Sequence, residues 1–305
     1  MILVAGATGV LGGLVCQRLR ERGDPVRALV RASSDAARRE QLRALGVELA
    51  EGDLRDRASL EAACRGATTV VSTVSSITTA KAGDSFEATD DAGTRSLVDA
   101  AKAAGAGHFV YVSFDDAAFP DSPLVAAKRS VEDYLKASGV PYTILKPGPF
   151  MEIWLGPMLG VDAANGTAKV FGSGEHPVPY VSVRDVAEYV VACVGNASAR
   201  NRTLYVKGAA PVSQNDAVHA FEESLGRPLV VTRVPEEALE AQWRSAPDPM
   251  SRTFSSLMLG VARGGGAEMA RRAADDAPFA IAPRSVRDYA AEVAAGKSMG
   301  TAAHG

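Results

Sequence analysis

Short apolar runs alternate with stretches of helical periodicity through the first half of the chain. Ile2-Leu3-Val4-Ala5 is apolar at every position, the pattern of a strand buried on both faces. Leu11, Val15 and Leu19 then recur at helical spacing until Gly23 stops the pattern. Val26 to Val30 reads as a second strand, and a basic helix follows over about 35–45, ended by Gly46. Val47 to Glu51 is a third strand, Ser59 to Cys64 lies in a helix, and Thr69 to Val74 is a fourth strand. Residues 76–85 are small and polar and read as a loop. A long helix is expected from about Phe86 to Ala104, and His108 to Ser113 forms a fifth strand. Lys128 falls at the start of a helix whose apolar face is Val131, Tyr134 and Leu135, and a sixth strand ends at Pro147-Gly148-Pro149, a rigid non-helical turn. This alternation predicts an α/β fold: a doubly wound parallel sheet of Rossmann type.

Beyond that turn the pattern is less regular and predicts a smaller α+β C-terminal substrate lobe. Ser182 and Asp185 have capping-box spacing ahead of a helix bearing Val186, Val190, Val191 and Val194, which makes Asp185 structural. Thr203 to Val206 and Leu229 to Thr232 read as short strands of that lobe, with a helix from near Ser213 between them. From Pro235 to Ala274 the chain reads as helices interrupted by Pro247, Pro249 and Gly264-Gly265-Gly266, either a lid or a surface hairpin. The expected organisation is a dinucleotide-binding domain over 1–150, a substrate-binding lobe over 151–296 with some strands and helices returning to the Rossmann core, and a flexible tail over 297–305.

The chemistry starts at Gly6-Ala7-Thr8-Gly9-Val10-Leu11-Gly12, which joins the first strand to the first helix. Strand, glycine turn and helix together are the context of a dinucleotide-binding motif. Its glycines allow a tight turn, close approach of backbone to a pyrophosphate, and close helix–strand packing. The helix start offers free N–H groups to the phosphates. No Gly-Lys-Ser/Thr follows, so this is not a Walker-type phosphate loop. At the end of the second strand, about 20 residues past the glycines, an NAD-binding unit carries Asp or Glu. Here the residue is Arg31, whose guanidinium attracts a 2′-phosphate. NADP(H) is therefore expected in preference to NAD(H). By the rule that ligands bind beyond the carboxyl ends of such strands, Gly6, Arg31, Asp53, Ser72 and Ser113 should line one edge. The expected cofactor set is Gly6, Thr8, Gly9, Val10, Leu11, Gly12, Arg31, Asp53, Leu54, Ser72, Thr73, Val74, Lys128, Pro147, Gly148 and Phe150. Phe114, Phe119, Phe150, Met151, Trp154 and Met158 are candidates for an apolar substrate pocket.

Composition narrows the alternatives. Net charge is −3 without basic blocks, which argues against nucleic acid as partner. Of the 305 residues, 47% are hydrophobic, enough for a sizeable core, and no apolar run is long enough to span a membrane. The chain enters a core strand at residue 2, so no signal peptide is expected. Cys16, Cys64 and Cys193 lie far apart in apolar helical patterns and read as buried thiols of a cytoplasmic protein. The four histidines show no ligand spacing, so no metal is expected. A monomer or homodimer acting on a small hydrophobic substrate is expected.

The glycine turn, Leu29-Val30-Arg31, Gly52-Asp53-Leu54, Phe109 to Ser113, Lys128 before Tyr142 to Phe150, and Val181 to Ala187 together resemble the NmrA-like, atypical short-chain dehydrogenase/reductase family over about residues 1–235. The resemblance implies a Rossmann domain, NADP(H) preference and a smaller C-terminal substrate region. It also implies one of two functions: a reductase, or a redox-sensing regulator that binds the dinucleotide without turnover and acts through a protein partner. One departure bears on mechanism. Four residues before the lysine, where the usual short-chain dehydrogenase has its tyrosine acid, stands Leu124. Catalysis is then expected to rest on Lys128 and Ser113, with a quinone, enone or aromatic ketone as an acceptor that needs little acid help. The regulator reading draws on the same departure.

Overall fold

A computed structural model of the chain describes residues 1–77, 83–117, 119, 122–272 and 279–297. Part of the expected loop over 76–85, the end of the expected helical stretch to Ala274, and the tail beyond residue 297 lie outside the described residues.

The first six strands are β1 (Ile2–Ala5), β2 (Val26–Val30), β3 (Glu48–Glu51), β4 (Thr69–Ser72), β5 (His108–Val112) and β6 (Tyr142–Pro147). They join Arg202–Val206 in one seven-stranded sheet, in the order Arg202–Val206, β6, β5, β4, β1, β2, β3. All neighbours are parallel. The strand order reverses between β1 and β4, which opens a crevice at the carboxyl ends of those two strands.

Five helices follow the strands: α1 (Val10–Glu21), α2 (Ala36–Ala44), α3 (Arg57–Cys64), α4 (Thr94–Ala103) and α5 (Pro123–Ala137). One face of the sheet packs Val4, Val71 and Val110 against Val15 and Leu19 of α1 and Val186 and Val190 of helix Val183–Cys193. The other packs Leu3, Val70 and Phe109 against Leu60 of α3, Leu97 of α4 and Val131 of α5. Each fully buried Val or Leu contributes about 1.5–3 kcal/mol. That is why strands that are apolar at every position sit at the centre of a sheet covered on both faces.

The structure changes four local expectations. Thr203 to Val206, read as part of the C-terminal lobe, pairs with β6 at the edge of the main sheet. An edge strand with buried Leu204 and Val206 has the same alternation whichever sheet it joins. The single helix expected from Phe86 to Ala104 is a wide π-type helix, Phe86–Gly93, running into α4. Lys128 lies in the second turn of α5, because Pro123 rather than Lys128 opens that helix. Asp185 does not complete a capping box: Ser182 accepts from the Arg184 N–H, and the Asp185 carboxylate instead takes the Arg284 N–H and Nη1, both at 2.8 Å.

The remaining elements form a second layer with its own core. Thr167–Phe171 pairs with Val161–Asp162 on one side and Val230–Val234 on the other. Around them pack Gln214–Leu225, Pro249–Ala262 and Val286–Ala294, with Phe171, Phe221, Leu257 and Tyr289 at the centre. The thiols of Cys16, Cys64 and Cys193 are free and buried. Burial pushes Cys16 up to about 12 and Cys64 up to about 11. Among the described residues, no helix is long and apolar enough to cross a membrane, and no group of acidic, histidine or cysteine side chains is placed to hold a metal.

Candidate cofactor cleft and active site

The glycine turn leaves β1 in a conformation that side chains would block. Gly6 has φ +83°, and a Cβ there would stand 2.6 Å from Thr73 Oγ1. A Cβ on Gly12 would stand 2.2 Å from Gly6 O, so α1 and the turn touch backbone to backbone. Gly9 caps α1 without any side-chain hydrogen bond to the first turn. The first-turn N–H groups are thus left to a ligand, and the positive end of the helix dipole favours an anion there. These features fit a nicotinamide dinucleotide's pyrophosphate.

The cleft above this turn is lined by Gly6, Thr8, Gly9, Leu29, Arg31, Ser34, Gly52, Asp53, Leu54, Thr73 to Ser76, Asp84 and Thr89. Half of the expected cofactor set lies here: Gly6, Thr8, Gly9, Arg31, Asp53, Leu54, Thr73 and Val74. Val10 and Leu11 are partly buried at the start of α1. Ser72 is fully buried at the end of β4 and does not line the cleft. Pro147 and Gly148 are buried at the end of β6, where a Cβ on Gly148 would stand 2.4 Å from Pro179 O. Gly148 is therefore required by close chain packing.

The Arg31 end of the cleft holds alternating charges. Arg31 Nη1 donates to both oxygens of Asp84, at 2.8 and 2.9 Å. Asp53 accepts from Arg55 N, Nε and Nη2, at 2.9, 2.8 and 2.8 Å. Those bonds from Arg55 hold the Asp53 carboxyl down at about 2. Sequence reasoning missed Asp84 and Arg55. Asp84 pairs with Arg31 from 53 positions away, and no local pattern marks it.

Lys128 stands behind the cleft wall. Its ammonium is buried, donates to Val74 O at 2.6 Å and lies 3.5 Å from Asp90 Oδ1. The Tyr111 ring lies beside it, with the centroid 5.3 Å away. Burial pulls the Lys128 pKa below the usual lysine value, and Asp90 opposes that shift. Leu124, one turn earlier, packs with Phe86, Ala127, Ile77 and Met250. An apolar side chain suits that site, where a phenol would need a partner.

Ser113 enters a different network from Lys128. Its hydroxyl donates to Glu132, which also takes Lys146 Nζ at 3.2 Å. Lys146 reaches Asp116 at 3.1 Å, and Asp116 is further paired with Arg129 and Arg272. Burial alone would lower the Lys146 pKa, but Glu132 and Asp116 outweigh it and raise the value. The structure does not bring the two candidate catalytic residues into one network: the Ser113 hydroxyl points to Glu132 inside a buried ionic cluster, away from Lys128.

The apolar residues expected around a substrate separate in the same way. Phe119, Met151 and Trp154 are buried in the core of the second layer, and Trp154 meets Phe171 edge to face. Met151 and Trp154 follow β6 directly, and their burial anchors that layer to the end of the sheet. Met158 is 49% exposed. Phe114 and Phe150 are the partly buried members of the set: Phe114 stacks near Phe119, and Phe150 bridges to Val181.

Comparison with known proteins agrees with this architecture. Residues 1–267 match the model of the NmrA-like family. An isoflavone reductase homolog from Zea mays is 33% identical over 267 residues, covering 82% of each chain. A (4-alkanoyl-5-oxo-2,5-dihydrofuran-3-yl)methyl phosphate reductase from Streptomyces griseus subsp. griseus is 32% identical over 257 residues, 83% of this chain and 84% of the relative. Among solved structures, the leucoanthocyanidin reductase–NADPH complex from Vitis vinifera superimposes with a TM-score of 0.77 at 20% identity, covering 96% of this chain and 99% of that one. From the strand order, the glycine cradle and these matches together, the chain belongs to the NmrA-like family.

Proposed function

We propose that this chain is an NADPH-dependent reductase of a small hydrophobic acceptor, of quinone, enone or aromatic-ketone type, working without the usual tyrosine acid. Its cofactor is NADP(H), and its reaction is an oxidation–reduction. Relatives about one-third identical are named as reductases, including an NAD(P)H azoreductase of Xenophilus azovorans. The observation that carries the reading is the buried ammonium of Lys128 behind the Val74 wall, with Leu124 sealed into apolar packing where an acid would stand.

Bound NADPH supplies the hydride. The protein's residues do the rest. The glycine turn and the start of α1 hold the pyrophosphate. Arg31 meets the 2′-phosphate at the far end. Lys128, behind the Val74 wall of the cleft, offers a proton or a positive charge to oxygen on the acceptor. A buried lysine with a lowered pKa is a better proton donor than one in water. Acceptors whose reduced anion is delocalised need the least from it, which favours quinones and enones.

The test is NADPH oxidation by the purified protein against a panel of quinones, enones and aromatic ketones. Oxidation with at least one class is expected. Tight NADPH binding without oxidation by any of them would overturn the reading.

Cofactor choice can be tested separately. Arg31→Glu removes a charge-assisted hydrogen bond and adds repulsion, so NADPH should bind roughly tenfold weaker or worse while NADH changes little. Equal changes for both cofactors in a binding titration would remove Arg31 from phosphate recognition. Asp84→Asn should act in the opposite direction. The Asp84 carboxylate neutralises Arg31 and would face the incoming 2′-phosphate, so its loss is expected to tighten NADPH several-fold relative to NADH.

A further inference from the structure

We infer that Asp90 is a positioning residue for Lys128, setting both where its ammonium points and how readily it holds its proton. The inference rests on the reading of Lys128 as the polar group of the active site.

Asp90 lies on the π-type helix Phe86–Gly93, and its side chain is fully buried. π-type segments are rare and recur at functional sites. The two carboxylate oxygens are used differently. Oδ2 accepts from the Ser76 N–H at 3.0 Å and the Ser76 hydroxyl at 2.6 Å. Oδ1 has no hydrogen-bond partner among the described residues and lies 3.5 Å from the Lys128 ammonium. Ser76 therefore fixes the carboxylate, and its remaining charge is directed at Lys128.

An ammonium has three N–H donors. In Lys128, one is spent on Val74 O and a second side faces Asp90. The third N–H has no acceptor among the described residues. The other groups around it do not take over the role of Asp90. Glu132, one turn along α5, is bound to Ser113 and Lys146. Asp91 accepts from Ser130 at 2.8 Å and lies 3.8 Å from Arg95. Tyr111 contributes its ring, and its hydroxyl is buried without a hydrogen-bond partner among the described residues. Asp90 is thus the carboxylate balancing a lysine charge that burial disfavours.

The test is direct titration of Lys128 in the full-length protein by NMR with lysine labelled at ε-carbon, its signal identified by loss in Lys128→Met. In Asp90→Asn the Lys128 pKa is expected to fall by about one unit or more. In Asp90→Glu it is expected to recover toward the parent value, and the alkaline limb of kcat against pH should move in the same order. Should Asp90→Asn fail to fold, the reciprocal measurement decides. In Lys128→Met, the Asp90 carboxyl, followed with carboxyl-labelled aspartate, should titrate at least about one unit higher than in the parent. Unchanged titration of Lys128 in Asp90→Asn, or of Asp90 in Lys128→Met, overturns the inference. These readouts do not need turnover. A Lys128→Met protein that retains the parent kcat would count against the proposed function and leave the Asp90–Lys128 coupling standing.

Discussion

Gly12→Ala is expected to lose NADPH binding by roughly a hundredfold or more and to unfold more easily than the parent. The added Cβ would stand 2.2 Å from Gly6 O, 2.6 Å from Gly6 C and 2.8 Å from Thr73 Oγ1. Two of those three atoms are backbone, so relief requires moving α1 away from the turn. Overpacking of this kind costs about 1–3 kcal/mol of stability. The same movement takes the first-turn N–H groups out of reach of a pyrophosphate. Losing two bonds of about 1.5–3 kcal/mol each gives at least the hundredfold loss. Gly13→Ala is the control, since a Cβ there meets only Ala7 O, at an ordinary 3.5 Å. Calorimetry and thermal melts of the two variants check the contrast. Parent-like binding in Gly12→Ala would mean that the turn is not the cradle.

Lys128→Met is expected to lower kcat by about 10²- to 10⁴-fold, the usual contribution of a positioned proton donor, while NADPH still binds. It should also destabilise the fold. Removing one partner of a buried ion pair costs about 3–5 kcal/mol, because the other charge is left uncompensated. Here that charge is Asp90, buried and held in place by Ser76. The pH dependence follows with a definite sign. The deficit comes from an Asp90 carboxylate left without its cation, so it should be seen where that carboxylate is ionised, near neutral pH. Denaturant melts across pH, with single-turnover rates at saturating NADPH, check both parts. Parent-like kcat would remove Lys128 from the chemistry.

Much of this was legible in the chain itself. The strand β1 is a continuous apolar run, β2 and β5 are apolar apart from Arg27 and His108, and the parallel sheet is the arrangement that buries such strands on both faces. The glycine turn was legible because its spacing and context are local. What stayed hidden depended on distant pairing. The Arg202–Val206 strand has the same alternation whether it joins the main sheet or the smaller one, and only its register with β6 decides. Asp84 and Asp90 matter through partners in other elements, and nothing near them in sequence marks them. Ser113 follows β5 and Lys128 lies in the next helix, so the sequence offers them together as candidates for one site. Glu132, four residues after Lys128, draws the serine away. Met151 and Trp154 were ambiguous for the same reason: an apolar run after a strand can line a pocket or fill a core, and here it fills a core.

The central claim is that the turn from Gly6 to Gly12 holds a nicotinamide dinucleotide by its pyrophosphate. Calorimetric titration of the purified protein with NADPH and NADH tests it most directly. The account predicts saturable heat at one site per chain, with NADPH the tighter of the two. No heat with either nucleotide would contradict it.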